Sequence, residues 1–315
     1  MKIALIDDWL EDSQKSADWS ALMKEHQVDI YHDTITGEAL IKRLLPYDII
    51  GIMRERTPFD KALIDALPNL KAIITSGMRN LSIDTAYARS KNIEVMGTES
   101  PGHATAELAM TLIGVLAREI VPSALSMQQG GWQVATGRDL RGAKLGILGL
   151  GRLRGQLAKL GKAYGMDVQA WSQNLTPERC QEMGVRYCDR DSFFKTSDFI
   201  SIHLKMSDRV RGLVDETAFD LMKKDACIIN TSRAGIIDKA ALIKALSTGA
   251  IHAAATDVYD IEPLPQDDEL RALPNLIMTP HIGYVTKETM RIFYDQMRED
   301  IEAFIAGNPM RLLPD

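Results

Sequence analysis

The stretch Lys144–Gly155, KLGILGLGRLRG, constrains this chain more than any other. Leu145, Ile147 and Leu148 form a short apolar run that enters a glycine turn at Gly149 and Gly151. From Arg152 a helical pattern continues through Leu157, Leu160 and Ala163. Strand, glycines, helix is the order that a dinucleotide-binding crossover needs. The first glycine makes the tight turn, the second admits a pyrophosphate to backbone N–H groups, and the helix N-terminus adds partial positive charge. Where a third glycine would bring helix and strand together, the chain has Arg154, with Gly155 one residue later.

The rest of the chain extends the same alternation on both sides. Before the glycine turn, strands are expected at 3–6, 28–31, 49–53, 72–75 and 93–96. Helices are expected over 13–26, 38–45 and 60–66, which makes a small parallel α/β unit. A long helix over 102–120 is apolar nearly all round, so it should be buried on most sides. Residues 128–141 lack periodicity and read as a loop or an arm. From Leu145 six strands follow, at 145–148, 168–171, 199–203, 226–231, 253–258 and 276–278, with helices between most of them; the one over 239–247 is capped by Asp238. A final amphipathic helix over 287–306 stops at Gly307-Asn308-Pro309. Placed after the last strand, it is expected to cross back onto the first unit. The fold class is therefore α/β, with doubly wound parallel sheets.

A formal charge of −6 argues against nucleic acid as a partner, since phosphate binding draws on clustered Lys and Arg. Cys180, Cys188 and Cys227 fit neither a disulfide framework nor a zinc site, and read as free thiols of a reducing compartment. No apolar stretch reaches the length of about 18 residues that a membrane span needs, and the N-terminus turns acidic too soon for a signal sequence. A cytoplasmic protein with no membrane partner is expected.

In open α/β sheets, ligand groups gather at the carboxyl ends of strands. Three residues in the second half of the chain meet that condition. Arg233 follows the strand ending near Ser232, Glu262 follows the strand ending at Val258-Tyr259, and His281 stands at the end of an apolar strand in the run MTPHIGYV. Together they offer what reduction of a 2-oxo acid requires. Histidine can deliver a proton to the developing alkoxide, the glutamate supports the imidazolium, and an arginine fork can hold the substrate carboxylate. In the first half, Met53-Arg54-Glu55-Arg56 and Ser76-Gly77-Met78-Arg79-Asn80 occupy corresponding loops.

Four motifs, GLGRL at 149–153, INTSRAGIID at 229–238, ATDVYDIEPLP at 255–265 and TPHIGYVT at 279–286, stand in an order and spacing that resemble the D-isomer-specific 2-hydroxyacid dehydrogenase family. The resemblance covers nearly all of the chain and implies direct hydride transfer with NAD(H) or NADP(H), no metal, and a small 2-oxo or 2-hydroxy acid as substrate. It implies Arg233, Glu262 and His281 as the catalytic set. It implies cofactor contacts from Thr105, Gly149, Gly151, Arg152, Leu153, Ser172, Asn174, His203, Leu204, Thr231 and Asp257, the last toward the nicotinamide carboxamide. Arg54 and Arg233 would contact substrate, and backbone N–H groups of Ser76, Gly77 and Met78 would receive its carboxylate. The implied architecture is a Rossmann cofactor domain, residues 99–286, inserted into a smaller flavodoxin-like substrate domain, residues 1–98 plus 287–315. It also implies a homodimer formed mainly through the cofactor domains.

Two positions depart from the family pattern. Arg154 replaces the third glycine, and Ser172 stands where an acid for the ribose hydroxyls is expected. Ser172 and Asn174 can bond a ribose without repelling a 2′-phosphate, which leaves NADP open beside NAD. The Arg154 departure also defines a rival reading, an NAD(P)-sensing, corepressor-like binding protein with little turnover.

Overall fold

A computed structural model of the chain describes residues 1–151 and 155–314. It divides into two compact units, Met1–Pro101 with Val285–Asp315, and Gly102–Tyr284.

The first unit holds five parallel strands: β1 (Lys2–Leu5), β2 (Gln27–Ile30), β3 (Ile49–Ile52), β4 (Ala72–Thr75) and β5 (Glu94–Gly97), in the order β2-β1-β3-β4-β5. β3 and β4 read IIGI and AIIT and are buried at every position, as strands covered on both faces must be. This is the flavodoxin-like order, with the direction of winding changing between β1 and β3. Ile52 and Thr75 are in register, so the loops after β3 and β4 leave the sheet side by side. The helix Lys287–Ile305 belongs to this unit; Thr286 caps it, and the Tyr294 hydroxyl donates to buried Asp8 at 2.9 Å.

One helix was expected over 13–26, but two short ones form, Ser13–Ser16 and Ser20–Glu25. The break follows from Trp19, which is buried and donates its indole N–H to the Ser13 carbonyl at 2.9 Å. Turning the indole inward takes the chain out of the helix at Ala17, which is extended.

Among the described residues the second unit carries seven parallel strands, one more than the six expected. They are β6 (Lys144–Leu148), β7 (Asp167–Trp171), β8 (Arg186–Tyr187), β9 (Phe199–Ile202), β10 (Cys227–Asn230), β11 (Ala253–Thr256) and β12 (Leu276–Met278). Their order is β12-β11-β10-β9-β6-β7-β8, so winding reverses between β6 and β9. The strand not foreseen, β8, is two exposed edge residues, too short to leave an apolar pattern. Apolar clusters cover both faces of the sheet, one around Leu145, Ile147 and Ile113, the other around Leu148, Ile200 and Phe193.

The long apolar helix runs over Ala104–Ala117, and a second helix, Ile120–Gln128, continues from it at a 64° bend. The bend falls at Glu119, whose φ of 51° leaves the helical region. Among the described residues no single helix is long and apolar enough to cross a membrane, though these two pass that test as a bent pair.

Candidate active site

The glycine turn lies where the winding of the second sheet reverses. Gly149 follows β6 with φ of 94°, and a Cβ there would sit 2.6 Å from the Leu204 side chain and 2.8 Å from the His203 carbonyl. Only glycine lets the loop after β6 lie so close to the loop after β9. The close helix-to-strand approach is made at Gly161, where a Cβ would meet Leu145 at 2.7 Å and Val168 at 3.2 Å. Arg152 and Leu153, expected to touch cofactor, and Arg154 lie outside the described residues. Ser172 and Asn174 stand on the turn after β7, and no carboxylate occurs between Ser172 and Leu175. His203 is buried, its Nε2 2.9 Å from the Ser201 hydroxyl. The Thr231 hydroxyl, just past β10, is buried with no hydrogen-bond partner among the described residues.

Further along the same sheet edge lie the three residues with acid, base and anion chemistry. His281 Nδ1 is 2.6 Å from Glu262 Oε2, and Tyr259 N–H donates to Glu262 Oε1 at 2.9 Å. The carboxylate is thus held at both oxygens, and it fixes the ring so that Nε2 faces away from it. Burial pushes the Glu262 carboxyl up, but the hydrogen bond and charge of His281, the Tyr259 N–H and the nearby Arg233 charge outweigh it and leave the group below the usual glutamate range. The Tyr284 ring stands edge-on to the imidazole, 5.7 Å between centroids.

Both loops that carry this chemistry are held from below. Asn230 donates its amide to the Arg233 carbonyl at 3.0 Å and accepts from Ser232 N–H at 3.0 Å, which shapes the loop bearing Arg233. Asp257 is buried and accepts three bonds from the loop bearing His281, from the Thr279 hydroxyl at 2.6 Å and from the Ile282 and Gly283 N–H groups at 2.8 Å each. Burial raises its carboxyl above the usual aspartate range despite these donors and the His281 charge. His281 has φ of 53°, and the Asp257 clamp spans it on both sides. Thr105 adds a fourth hydrogen bond, donating its hydroxyl to the Gly283 carbonyl at 3.0 Å. In this structure Asp257 and Thr105 therefore hold the histidine loop.

In the first unit the loops after β3 and β4 are knitted together. Arg54 N–H donates to Ser76 Oγ at 2.9 Å, its guanidinium to the Ser76 carbonyl at 3.3 Å, and Asn80 donates to the Arg54 carbonyl at 2.6 Å. Gly77, at φ of 90°, lies against the Arg54 guanidinium, which occupies the place of a Cβ. Of the three loop amides, Ser76 N–H donates to the Ile52 carbonyl at 3.1 Å and Gly77 N–H to Thr98 Oγ1 at 2.9 Å. The Met78 N–H is the one without a partner among the described residues. Arg56 stacks on the Trp9 ring, 3.8 Å from its centroid, and donates to the Asp7 carbonyl at 2.6 Å.

Residues 110–283 match the family model described as D-isomer specific 2-hydroxyacid dehydrogenase, NAD binding domain. The chain belongs to the D-isomer specific 2-hydroxyacid dehydrogenase family. It is 33% identical to the hydroxypyruvate reductase of Thermotoga maritima over 276 residues, 86% of this chain and 89% of that one. It is 35% identical to the D-3-phosphoglycerate dehydrogenase of Archaeoglobus fulgidus over 88% of this chain, and there it spans 53% of the longer relative. The solved structure of a phosphoglycerate oxidoreductase from Vibrio cholerae superposes with a TM-score of 0.91 at 32% identity, covering 98% of this chain and 99% of that one. Membership makes the chain an oxidoreductase of the D-2-hydroxyacid dehydrogenase class whose second unit binds NAD(H) or NADP(H). The sensing, corepressor-like reading is not favoured, because these relatives are reductases and dehydrogenases.

The family's cofactor fits the residues present. Gly149 leaves no side chain above the turn, and the orphaned Thr231 hydroxyl at the end of β10 is a buried donor awaiting an acceptor. Reading the sequence missed the roles of Asn230, Tyr259, Thr279 and Thr98. Each acts through a partner distant in sequence or through a backbone group, which leaves no spacing to notice.

Proposed function

We propose that the protein interconverts a small 2-oxo acid and its D-2-hydroxy acid, with His281 as proton donor and acceptor. The observation that carries this reading is the 2.6 Å contact between His281 Nδ1 and Glu262, with the Arg233 charge beside the same carboxylate. When bound, the nicotinamide supplies or accepts the hydride. In reduction, His281 Nε2 gives its proton to the carbonyl oxygen as that oxygen becomes an alkoxide, and in oxidation neutral Nε2 takes the hydroxyl proton back. Glu262 holds the imidazole in the tautomer and orientation that this exchange requires. Arg233 pairs with the substrate carboxylate and steadies negative charge growing on the adjacent oxygen. The loop 76–78, with its unpartnered Met78 N–H and the Arg54 guanidinium against Gly77, also takes part in binding the substrate anion.

Gly149, Gly151 and the helix that follows receive the cofactor pyrophosphate, Ser172 and Asn174 the adenosine ribose, and Thr231 the nicotinamide end. The test is His281→Asn against a panel that includes hydroxypyruvate, glyoxylate and pyruvate. Turnover is expected to fall by about 10²- to 10⁴-fold, the usual contribution of a positioned acid–base group, while the Kd for reduced cofactor stays unchanged. Retained full turnover would remove His281 from the mechanism.

A further inference from the structure

We infer that the C-terminal segment 311–313 is a positioning element for the loop 76–80 of the first unit. The inference rests on the proposed role of that loop in substrate binding. The segment is bridged antiparallel to β5 through Leu312 and Met96, with Gly97 N–H donating to the Arg311 carbonyl and Leu313 N–H to the Val95 carbonyl, each at 2.9 Å. Arg311 locks it from the other side. Its guanidinium donates to Asp300 and Glu299 at 2.9 Å each and to the Gln296 carbonyl at 3.0 Å, all on the helix Lys287–Ile305. Asp300 has no exposed surface, so this pair is a fixed anchor and not a solvated surface contact.

The mechanical link to the loop is Gly97. An ideal Cβ there would fall on the Leu313 side chain and lie 2.6 Å from the Gly77 carbonyl. The backbone of β5 is thus pinched between Leu313 and the loop. The next residue, Thr98, accepts the Gly77 N–H at 2.9 Å and is itself fully buried. On its other flank the loop borders a cavity of about 420 Å³ lined by Met78, Leu81, Ile83, Leu313 and Pro314. Leu313 is buried in the apolar cluster of the first unit with Ile83 and Val95, and so ties the loop's flank to that core. A change at Leu313 should therefore move the Gly77 and Met78 backbone before it disturbs the sheet.

The test compares Leu313→Ala and Leu313→Met in the full chain by amide hydrogen exchange and by steady-state kinetics with the best 2-oxo acid of the panel. Leu313→Ala is expected to speed exchange of the Gly77 amide about tenfold, as local opening becomes easier. It should also raise KM about fivefold through misplacement of the anion-binding loop, with kcat and the Kd for reduced cofactor unchanged. Leu313→Met, which keeps the volume, should restore both. Leu313→Val supplies the same signs at smaller size where the alanine variant does not fold. Unchanged exchange in the loop overturns the positioning role. Faster exchange with unchanged KM instead overturns the loop's place in substrate binding, so the two failures are distinguishable.

Discussion

Asp300 is a carboxyl with no exposed surface, one oxygen paired with Arg311 and the other without a partner among the described residues. Burial raises it to about 7, with Glu299 adding to the shift, although the Arg311 charge and hydrogen bond oppose it. A folded-state value above the unfolded one, near 3.9 for aspartate, means that the folded chain keeps a proton the unfolded chain has released. The stability this contributes is complete below about pH 4 and is lost as pH rises through about 7. The melting temperature of the wild type should therefore rise as pH falls from 8 to 5 more steeply than that of Asp300→Asn, which keeps an oxygen for Arg311. Equal slopes in a calorimetric series would show that Asp300 is ionised throughout. At this scale the sequence made side chains with acid, base or anion chemistry legible, because chemical type and strand-end position are both written there. It did not reveal Asn230, Tyr259 or Asp300. Their roles depend on a carbonyl, a backbone N–H and an arginine brought near by the fold.

Elements were legible where periodicity and caps agree. Asp60 and Asp238 each accept from a backbone N–H in the first turn of a helix that the sequence led one to expect, and the alternating apolar runs place most strands. They were not legible where a tertiary contact overrides the pattern, as at Trp19, or where an element is too short for one, as in β8. The helix Ile120–Gln128 escaped for another reason. It follows an apolar helix with only Arg118 and a left-handed Glu119 between them, and no glycine marks the break. The turn after β7 carries a prediction of its own. With no carboxylate between Ser172 and Leu175, a 2′-phosphate meets hydroxyl and amide groups without like charge. NADPH should bind within about tenfold of NADH, and Ser172→Asp should shift the ratio toward NADH by about tenfold or more, since one like charge near a surface costs about 1.4 kcal/mol or more. Fluorescence titration of both cofactors on both proteins reads the ratio. A preference of about a hundredfold for NADH in the unmutated chain would mean that another group reads the ribose.

At the scale of the whole molecule, the outstanding feature is apolar surface in the second unit. The helix Ile120–Gln128 buries none of its residues, and Leu125 and Met127 are 51% and 53% exposed. Beyond it Trp132 and Val134 are 71% and 53% exposed. Single exposed apolar residues need no explanation, but a run on one helix and the arm that follows it marks an interaction surface. We propose that a second copy of this chain covers it, in keeping with the homodimer that the family resemblance implies. Burying several such half-exposed side chains on both copies contributes about 1 kcal/mol each, which in sum offsets part of the entropy of association. Light scattering on the purified protein should then give about twice the 35.0 kDa of one chain. The double variant Leu125→Glu, Met127→Glu places two like charges in the patch and should give the monomer mass with the melting transition of each chain retained. A wild-type monomer at tens of micromolar, or a dimer that survives both substitutions, would assign this surface to a different partner or to none.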